Sequence, residues 1–221
     1  MDPRLRAAVR PVARPLIVAA NTPLAKARAK RAFADAPRPI KLEIGGHHAR
    51  PGWVVTDVGP FTRNYLDATR RWPLEDASVS VIYADNVIEH IPLAGGRAML
   101  AEAYRCLVPG GVIRLVTPDI RSHVEMYLAG QASVDNSVGT HYRKYGLTVE
   151  HPIDLIRIPI GSFGHHLGYV YDYETLAAEL QRAGFSNVAR CELGESSHPD
   201  LVGLDDRASE GAVQVAVEAT R

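Results

Sequence analysis

Short apolar runs that favour β-strands alternate with helical stretches from Ile40 onward, and this alternation constrains the fold most. The strand candidates, in chain order, are Ile40–Ile44, Trp53–Val58, Val79–Ala84, Val112–Thr117, Asn187–Glu192 and Ala212–Ala219. Apolar residues at helical spacing predict helices over Leu93–Val108 and Tyr173–Ala183. Pro109-Gly110-Gly111 ends the first helix and Gly184 ends the second. Strands interleaved with helices indicate an α/β domain with a mainly parallel sheet covered by helices on both faces.

The chain divides into a basic arm, residues 1–39, and a domain, residues 40–221, and its 221 residues suit one α/β domain plus a short arm. The arm carries nine Lys/Arg against two Asp, although the whole chain is neutral, with 25 basic and 25 acidic residues. A neutral chain is not a polycation built for nucleic acid, so we predict no such partner. Thr22-Pro23 predicts a helix start before Leu24–Ala36. The arm either packs on or frays from the domain, or is attracted to anionic lipid.

The longest apolar run of the arm, Leu16–Ala20, is too short to span a bilayer or to form a usual secretory core. Cys106 and Cys191 lie far apart and outside any metal-ligand spacing. This excludes a disulfide scaffold and a cysteine zinc site, and it fits a reducing compartment. We therefore expect a cytoplasmic protein.

Polar or flexible residues follow the first two predicted strands, where ligands of parallel sheets bind. Gly45-Gly46 follows the first strand, and glycine lets a ligand approach the backbone N–H groups. Asp57 follows the second, where a carboxylate can accept hydrogen bonds from both ribose hydroxyls. Either feature alone is also typical of an ordinary turn. Together they favour a nucleoside cofactor.

Three further motifs occur in a fixed order along the chain. The first is Ile44-Gly45 with Pro51-Gly52-Trp53 and Asp57. The second is Trp72-Pro73-Leu74-Glu75-Asp76-Ala77-Ser78 with Glu89-His90. The third is Leu107-Val108-Pro109-Gly110-Gly111. This pattern resembles the class I S-adenosylmethionine-dependent methyltransferases, in the broad type 11-like small-molecule subgroup with "LPF-x-D-x-S-x-D", "EH" and "L-x-PGG" signatures. The resemblance covers residues 40–120 closely and 165–192 more loosely. Within the group the chain is most similar to predicted methyltransferases of bacterial surface-glycan clusters.

The resemblance implies a Rossmann-like sheet of seven strands, with the last strand, Ala212–Ala219, antiparallel to the others. It implies S-adenosyl-L-methionine as cofactor. Our own expectation for the acceptor is a small molecule or glycan, methylated at oxygen. By analogy, Glu43, Gly45 and Gly46 would lie along the methionine portion of the cofactor. Asp57 would hold the ribose, and Asp67 would approach the adenine amino group. Asp85 and Asn86 would face the methionine portion and the reacting methyl.

Methyl transfer from a sulfonium needs mainly alignment and exclusion of water, and a hydroxyl acceptor additionally favours a base near its proton. Residues 118–172 are too long for an ordinary connection and indicate a lid or substrate-binding insertion. The candidate bases are Asp119 after the fourth strand, and His165 and His166 in the insertion. Packing or capping is the structural alternative for the two histidines.

Several other polar residues could have either a ligand-binding or a structural role. No metal site is predicted at His165-His166, because adjacent histidines rarely ligate one ion and no carboxylate–histidine spacing accompanies them. His90, after Glu89, is interpreted as orienting the start of a helix. Residues 142–145, Tyr-Arg-Lys-Tyr, either bind a sugar or anion or form a solvated loop.

Two other functions stay open on the sequence alone. A nicotinamide-dependent oxidoreductase would carry Gly-x-Gly-x-x-Gly after its first strand, whereas this chain has Gly45-Gly46-His47-His48-Ala49-Arg50. A degenerate methyltransferase-fold module for binding or assembly stays open, because His47 occupies a position where the family has a small residue and no base is assigned. Cofactor binding without turnover would support that module.

Overall fold

The computed structural model describes residues 3–205 and 213–221. Its strands are β1 (Ile40–Ile44), β2 (Val54–Thr56), β3 (Val79–Asp85), β4 (Leu107–Pro118), β5 (Ser186–Cys191) and β6 (Gln214–Thr220). Its helices are α1 (Pro3–Asp35), α2 (Leu93–Cys106), α3 (Ile120–Leu128), α4 (Ser137–Lys144), α5 (Asp154–Gly161) and α6 (Tyr173–Arg182), with 3-10 turns at Ile88–His90 and His165–Leu167. Each strand and helix predicted from Ile40 on is therefore present. Ala212, the predicted start of the last strand, lies outside the described residues.

The described strands form one sheet in the order β2-β1-β3-β4-β6-β5. Neighbours from β2 to β4 pair in parallel, and β6 pairs antiparallel with both β4 and β5. The reversed last strand is confirmed. The sheet is thus an α/β Rossmann-like sheet with one antiparallel strand.

The predicted seventh strand is not found in the described part of the chain, which holds six strands. Beyond β2 there is only an isolated parallel bridge between Asp57 and Tyr65. The side-chain amide of Asn64 donates to the carbonyl of Val55 at 2.9 Å. That carbonyl lies on the outer edge of β2, so a local side chain takes an acceptor that another strand would use.

The Pro109-Gly110-Gly111 turn lies within β4 rather than between α2 and the strand. Leu107 pairs with Val79 and Val112 pairs with Val81, so the four residues between Leu107 and Val112 oppose a single residue of β3. Gly110 adopts a φ of +79°, a conformation that glycine enters at little cost. The motif is therefore a bulge that bends the start of β4.

One face of the sheet is covered by α1, α2 and α6. Their contributions to this buried core include Ala29, Phe33, Met99, Leu100, Ala103, Leu176 and Leu180, packed on sheet residues such as Leu42, Ile82, Ile113 and Val217. The guanidinium of Arg97 in α2 donates two 2.8 Å hydrogen bonds to Glu179 in α6, which holds these two helices in register.

The other face of the sheet does not confirm the expectation of helices on both sides. Val81, Tyr83 and Val116 are buried there against Leu201, and none of the residues of this cluster belongs to a helix. The covering segment after β5 is fixed by the buried guanidinium of Arg114, which donates to the Asp205 carboxylate. The ion pair between Arg114 and Asp205 therefore anchors this segment to the sheet.

Helix α1 extends over Pro3–Asp35 and is longer than the predicted Leu24–Ala36. The hydroxyl of Thr22 donates to the Val18 carbonyl at 2.5 Å, so Thr22 lies within the helix and does not cap it. Farther along α1, Ala25, Ala29 and Phe33 are buried. No helix of the described residues combines the length and the apolar character needed to cross a membrane.

Helices α3, α4 and α5, within residues 118–172, form a cluster of their own. Val138, Tyr142, Leu155 and Ile158 are buried in it. Asp119 caps α3 and Asn136 caps α4, each by accepting a hydrogen bond from a backbone N–H. Side-chain caps and one small core therefore explain how a segment without clear periodicity forms short helices.

Candidate active site

Three of the predicted cofactor residues meet at the carboxyl edge of the sheet. Ile44 is paired with both Thr56 and Ala84. The residues that follow these three, Gly45, Asp57 and Asp85, therefore lie at the same level along their strands, at the edge where the strands end. This is the edge at which open α/β sheets bind ligands.

The two glycines after β1 are required by close packing. Gly45 has a φ of +78°, and a Cβ added there would lie 2.3 Å from Cγ2 of Val87. A Cβ on Gly46 would lie 2.5 Å from Cγ1 of Val55 and 2.6 Å from Oε1 of Glu43. The loop after β1 therefore lies directly against β2 and against the chain that follows β3.

Glu43 is buried beneath this loop. Its Oε2 accepts a 2.7 Å hydrogen bond from Nε of Arg50, whose guanidinium also lies 6.0 Å from the ring centre of Trp53. The ion pair between Glu43 and Arg50 links β1 to the residues that follow the glycine loop. The structure thus gives Glu43 a positioning role for the glycine loop.

Asp57 lies on the wall of an open cleft of about 1020 Å³, at the upper end of the range for small-molecule sites. Its Oδ2 accepts a hydrogen bond from the Gly59 N–H at 3.0 Å and lies 3.9 Å from Nδ1 of His47. Gly46 and Asn64 also line the cleft, as do Arg28 and Arg31 of α1. A carboxylate held by its own turn beside an open cleft is suited to accept hydrogen bonds from a ligand.

Asp67 lies two residues beyond Tyr65, the residue whose backbone bridges to Asp57. Its Oδ1 accepts from the Thr69 N–H at 3.0 Å and from the Thr69 hydroxyl at 2.7 Å. The carboxylate is only partly exposed, and its second oxygen is 3.8 Å from Nε of Arg70. Asp67 therefore reaches the neighbourhood of Asp57 but also closes a turn.

Asp85, the last residue of β3, and Asn86, the residue after it, form a connected polar pair. The Asn86 side-chain amide donates to Oδ1 of Asp85, and its Oδ1 accepts from Nε2 of Gln214 at 3.0 Å. Asn86 has a φ of +51°, a left-handed conformation that asparagine tolerates. The chain turns sharply here, directly above the paired ends of β3 and β4.

Asp119 is fully buried and its carboxylate serves local structure. Oδ2 accepts from the Ser122 hydroxyl at 2.7 Å and from the Arg190 guanidinium at 2.8 Å, and Oδ1 accepts from the Ser122 N–H. These bonds cap α3 and tie it to β5. The structure therefore shows Asp119 as the cap of α3, whereas from the sequence it was named only as a candidate base.

His165 and His166 differ in their surroundings. His166 is exposed, whereas His165 is 5% exposed and its Nδ1 lies 2.6 Å from the carbonyl oxygen of Pro159. Nε2 of His165 lies 4.0 Å from Oε1 of the fully buried Glu89. Burial lowers the pKa of His165, which favours the neutral ring at neutral pH. Of the two histidines, His165 is thus the one with an ordered polar environment.

Exposed aromatic rings lie beside His165. Phe163, 45% exposed with a φ of +57°, has its ring centre 5.8 Å from that of His165 and 5.8 Å from that of Tyr145. Tyr142, in contrast, is buried and forms a 3.3 Å hydrogen bond with Nε2 of His123. Of the Tyr-Arg-Lys-Tyr segment, Tyr145 belongs to the exposed aromatic corner and Tyr142 to the core.

Sequence reasoning missed the partnership of Glu89 with His165 and the role of Phe163. Glu89-His90 comes shortly after a strand, which was the available signal. The 75 residues between Glu89 and His165 hide their contact, since only the tertiary fold brings them together. The left-handed backbone conformation of Phe163 could not be predicted from its residue type.

A family comparison matches part of the chain. Residues 56–115 match the family model described as a methyltransferase domain. No curated protein sequence matches the chain.

Several solved structures are similar to the chain. The CurJ carbon methyltransferase is 18% identical over 86% of this chain and 51% of that chain, with a TM-score of 0.47. Human N-acetylserotonin methyltransferase, solved with SAM, is 14% identical over 89% of this chain and 51% of that one, with a TM-score of 0.46. This chain thus spans about half the length of either protein. A SAM-dependent methyltransferase from Thermotoga maritima is 17% identical over 93% of this chain and 91% of that one, with a TM-score of 0.42.

The family match begins at Thr56, the last residue of β2, and includes β3, α2 and most of β4. Asp57, Asp67, Asp85 and Glu89-His90 lie within it. It contains the second and third sequence motifs and, of the first, only Asp57. Residues 56–115 carry the methyltransferase domain signature, and the predicted resemblance of the chain to class I S-adenosylmethionine-dependent methyltransferases is confirmed.

Proposed function

We propose that this protein transfers the methyl group of S-adenosyl-L-methionine to a hydroxyl group of a small molecule or glycan. The observation that carries the proposal is the common level of Gly45, Asp57 and Asp85 at the sheet edge, with Asp57 on the wall of an open cleft. The match of residues 56–115 to the methyltransferase domain supports the same chemistry.

The cofactor supplies an electrophilic methyl group, so the residues of this chain have mainly to bind, orient and exclude water. Asp57 is assigned to the ribose hydroxyls, because its Oδ1 accepts no hydrogen bond from the described residues and its Oδ2 is held by the Gly59 N–H. The glycine loop, supported by Glu43 and Arg50, is assigned to the methionine portion. Alignment of this kind can supply roughly 7–11 kcal/mol of the barrier lowering.

His165 and Glu89 are assigned to the acceptor side, where a hydroxyl has to lose its proton. His165 belongs to the 3-10 turn at His165–Leu167 and Glu89 to the 3-10 turn at Ile88–His90. The turn at Ile88–His90 comes shortly after Asp85, at the carboxyl end of β3. The exposed rings of Tyr145 and Phe163 offer apolar faces on which a sugar or a ring-bearing small molecule can stack.

Calorimetry with S-adenosyl-L-methionine and with NAD tests the cofactor assignment. We expect binding of the first, weakened by about 10- to 150-fold in Asp57→Ala, the scale of hydrogen bonds to a charged group. Asp76→Ala is the matched control, because Asp76 is an exposed carboxylate paired with Arg105 outside this edge. NAD binding alone, or equal affinities in the two variants, would contradict the assignment.

Turnover is tested with methyl-labelled S-adenosyl-L-methionine and cell extract, followed by mass spectrometry of labelled products. We expect label on an oxygen of a low-molecular-weight or glycan product. Cofactor binding without any labelled product would favour a binding module over an enzyme. Label on nitrogen or carbon would contradict O-methylation.

A further inference from the structure

Three side chains of metal-ligand type converge beside the carboxyl edge of β3. Glu89 and His90 belong to the 3-10 turn at Ile88–His90, and His165 belongs to the turn at His165–Leu167. One ligand atom from each lies within 4.8 Å of the others. The rings of His90 and His165 meet edge to face, with centres 4.7 Å apart. The convergence therefore joins two distant segments of the chain.

The backbone holds the two turns together, so the cluster is part of the fold. The N–H of Tyr169 donates to the carbonyl of Glu89 at 3.1 Å. Gly168 passes so close that a Cβ there would lie 2.0 Å from the same carbonyl oxygen. Two of the three side chains are buried and the third, His90, is exposed. The cluster is thus rigid on one side and open to solvent on the other.

The hydrogen bond of His165 fixes the atom that it presents to the cluster. A carbonyl can only accept, so the 2.6 Å contact with Pro159 places the proton on Nδ1. In the neutral ring Nε2 then presents a lone pair, 4.0 Å from Oε1 of Glu89. Two electron-pair donors that approach each other attract a cation. Histidine ligands of metals commonly donate their other N–H to a backbone carbonyl in this way.

We propose that Glu89, His90 and His165 bind a first-row divalent metal ion of the Zn²⁺, Co²⁺ or Mn²⁺ class. Two imidazoles and one carboxylate suit these ions and leave coordination positions open for another ligand. Their bonds of about 2.0–2.2 Å require the ligand atoms to draw closer, which exposed His90 can do by side-chain rotation. From the sequence we expected no metal at His165-His166. The structure instead groups His165 with Glu89 and His90.

The role of the ion rests on the proposed function. An acceptor whose hydroxyl oxygen ligates the ion would lose its proton more readily, because the charge lowers the pKa of a bound oxygen. The acceptor oxygen then forms the new C–O bond, the methyl–sulfur bond breaks with its electrons going to sulfur, and the hydroxyl proton passes to solvent. The substrate class is thus a hydroxyl compound that can coordinate a metal.

Titration of chelator-treated, full-length protein with Co²⁺ alone tests the site, read by its visible absorption and by calorimetry. We expect one ion per chain, and at least about tenfold weaker binding in His90→Ala and in His165→Ala, since the loss of even an outer partner costs that much. His166→Ala is the matched control, because it removes an exposed imidazole next to His165. His90→Ala keeps the test decisive if His165→Ala does not fold. Equal affinity in His90→Ala, His166→Ala and the unmodified protein would overturn the proposal.

Cofactor binding is measured separately, on the metal-free protein, so that the two proposals fail independently. Stoichiometric Co²⁺ binding without binding of S-adenosyl-L-methionine would uphold the metal site and overturn the proposed function. Labelled product formation that is the same in chelator-treated protein and after added Zn²⁺, Co²⁺ or Mn²⁺ would overturn the catalytic role of the ion.

Discussion

The carbonyl oxygen of Glu89 lies 2.0 Å from the position that a Cβ on Gly168 would occupy. The N–H of the next residue, Tyr169, donates to the same oxygen at 3.1 Å. This contact between backbones holds the turn at His165–Leu167 against the turn that follows β3. The relative position of Glu89 and His165 therefore depends on the absence of a side chain at residue 168.

Gly168→Ala is expected to lower the free energy of unfolding by about 1–3 kcal/mol, because the clash is with backbone and the two turns have to separate. The same variant should lose Co²⁺ affinity. Gly161→Ala is the control, since a Cβ there meets no atom within 4 Å. Urea unfolding at neutral pH measures both variants. Equal stabilities of the two would show that the turns move apart at no cost.

Gly45→Ala is expected to weaken binding of S-adenosyl-L-methionine by about tenfold or more, because the new methyl displaces Val87 and with it the loop after β1. Gly52→Ala separates this clash from backbone strain. Both glycines have a φ of +78°, but a Cβ on Gly52 meets nothing within 4 Å. Calorimetry on the two variants makes the comparison. If both lose the same affinity, strain and not the contact with Val87 is responsible.

Much of the sheet could be predicted from the sequence, because its strands are short, apolar and bounded by turn residues. β1 is found over Ile40–Ile44, as predicted, and α6 ends one residue before the predicted Ala183. The start of β4 was missed because Pro109-Gly110-Gly111 is typical of a turn. Here it forms a bulge, since Leu107 can still pair with Val79.

The candidate site could be predicted only where its residues lie next to strand ends. Gly45 and Asp57 follow strands and reach one edge through strand pairing. Asp119 also follows a strand, but Ser122 and Arg190 use its carboxylate. The partnership of His165 with Glu89 depends on tertiary packing alone. Local patterns therefore gave the cofactor side of the hypothesis and missed most of the acceptor side.

Arg114→Met is expected to lower the free energy of unfolding by about 3–5 kcal/mol, because it leaves buried carboxylates without their counter-charge. The Arg114 side chain is fully buried and donates to Asp205 and Glu218. Arg121→Met is the control, since the Arg121 side chain is 48% exposed and its ion pairs are screened by solvent. Urea unfolding distinguishes the two. A loss below about 1 kcal/mol for Arg114→Met would contradict the assigned role of the pair.

Stability should fall as the pH falls below the ordinary histidine range, owing to His123. Burial lowers the pKa of this side chain to about 4, whereas in the unfolded chain it is about 6.5. Between these values the unfolded state binds a proton that the folded state does not bind. The contribution of neutral His123 to stability is therefore complete above about pH 6.5 and declines by about 1.4 kcal/mol per pH unit toward pH 4.

His123→Gln tests this linkage and keeps a polar partner for the Tyr142 hydroxyl, which lies 3.3 Å from Nε2 of His123. Between pH 7 and pH 5, the unfolding free energy of the variant should fall by about 2 kcal/mol less than that of the unmodified protein. His166→Gln should follow the unmodified protein, because His166 is exposed. Urea unfolding at the two pH values measures the difference. The same decline in His123→Gln as in the unmodified protein would mean that His123 is protonated in the folded state already at pH 5.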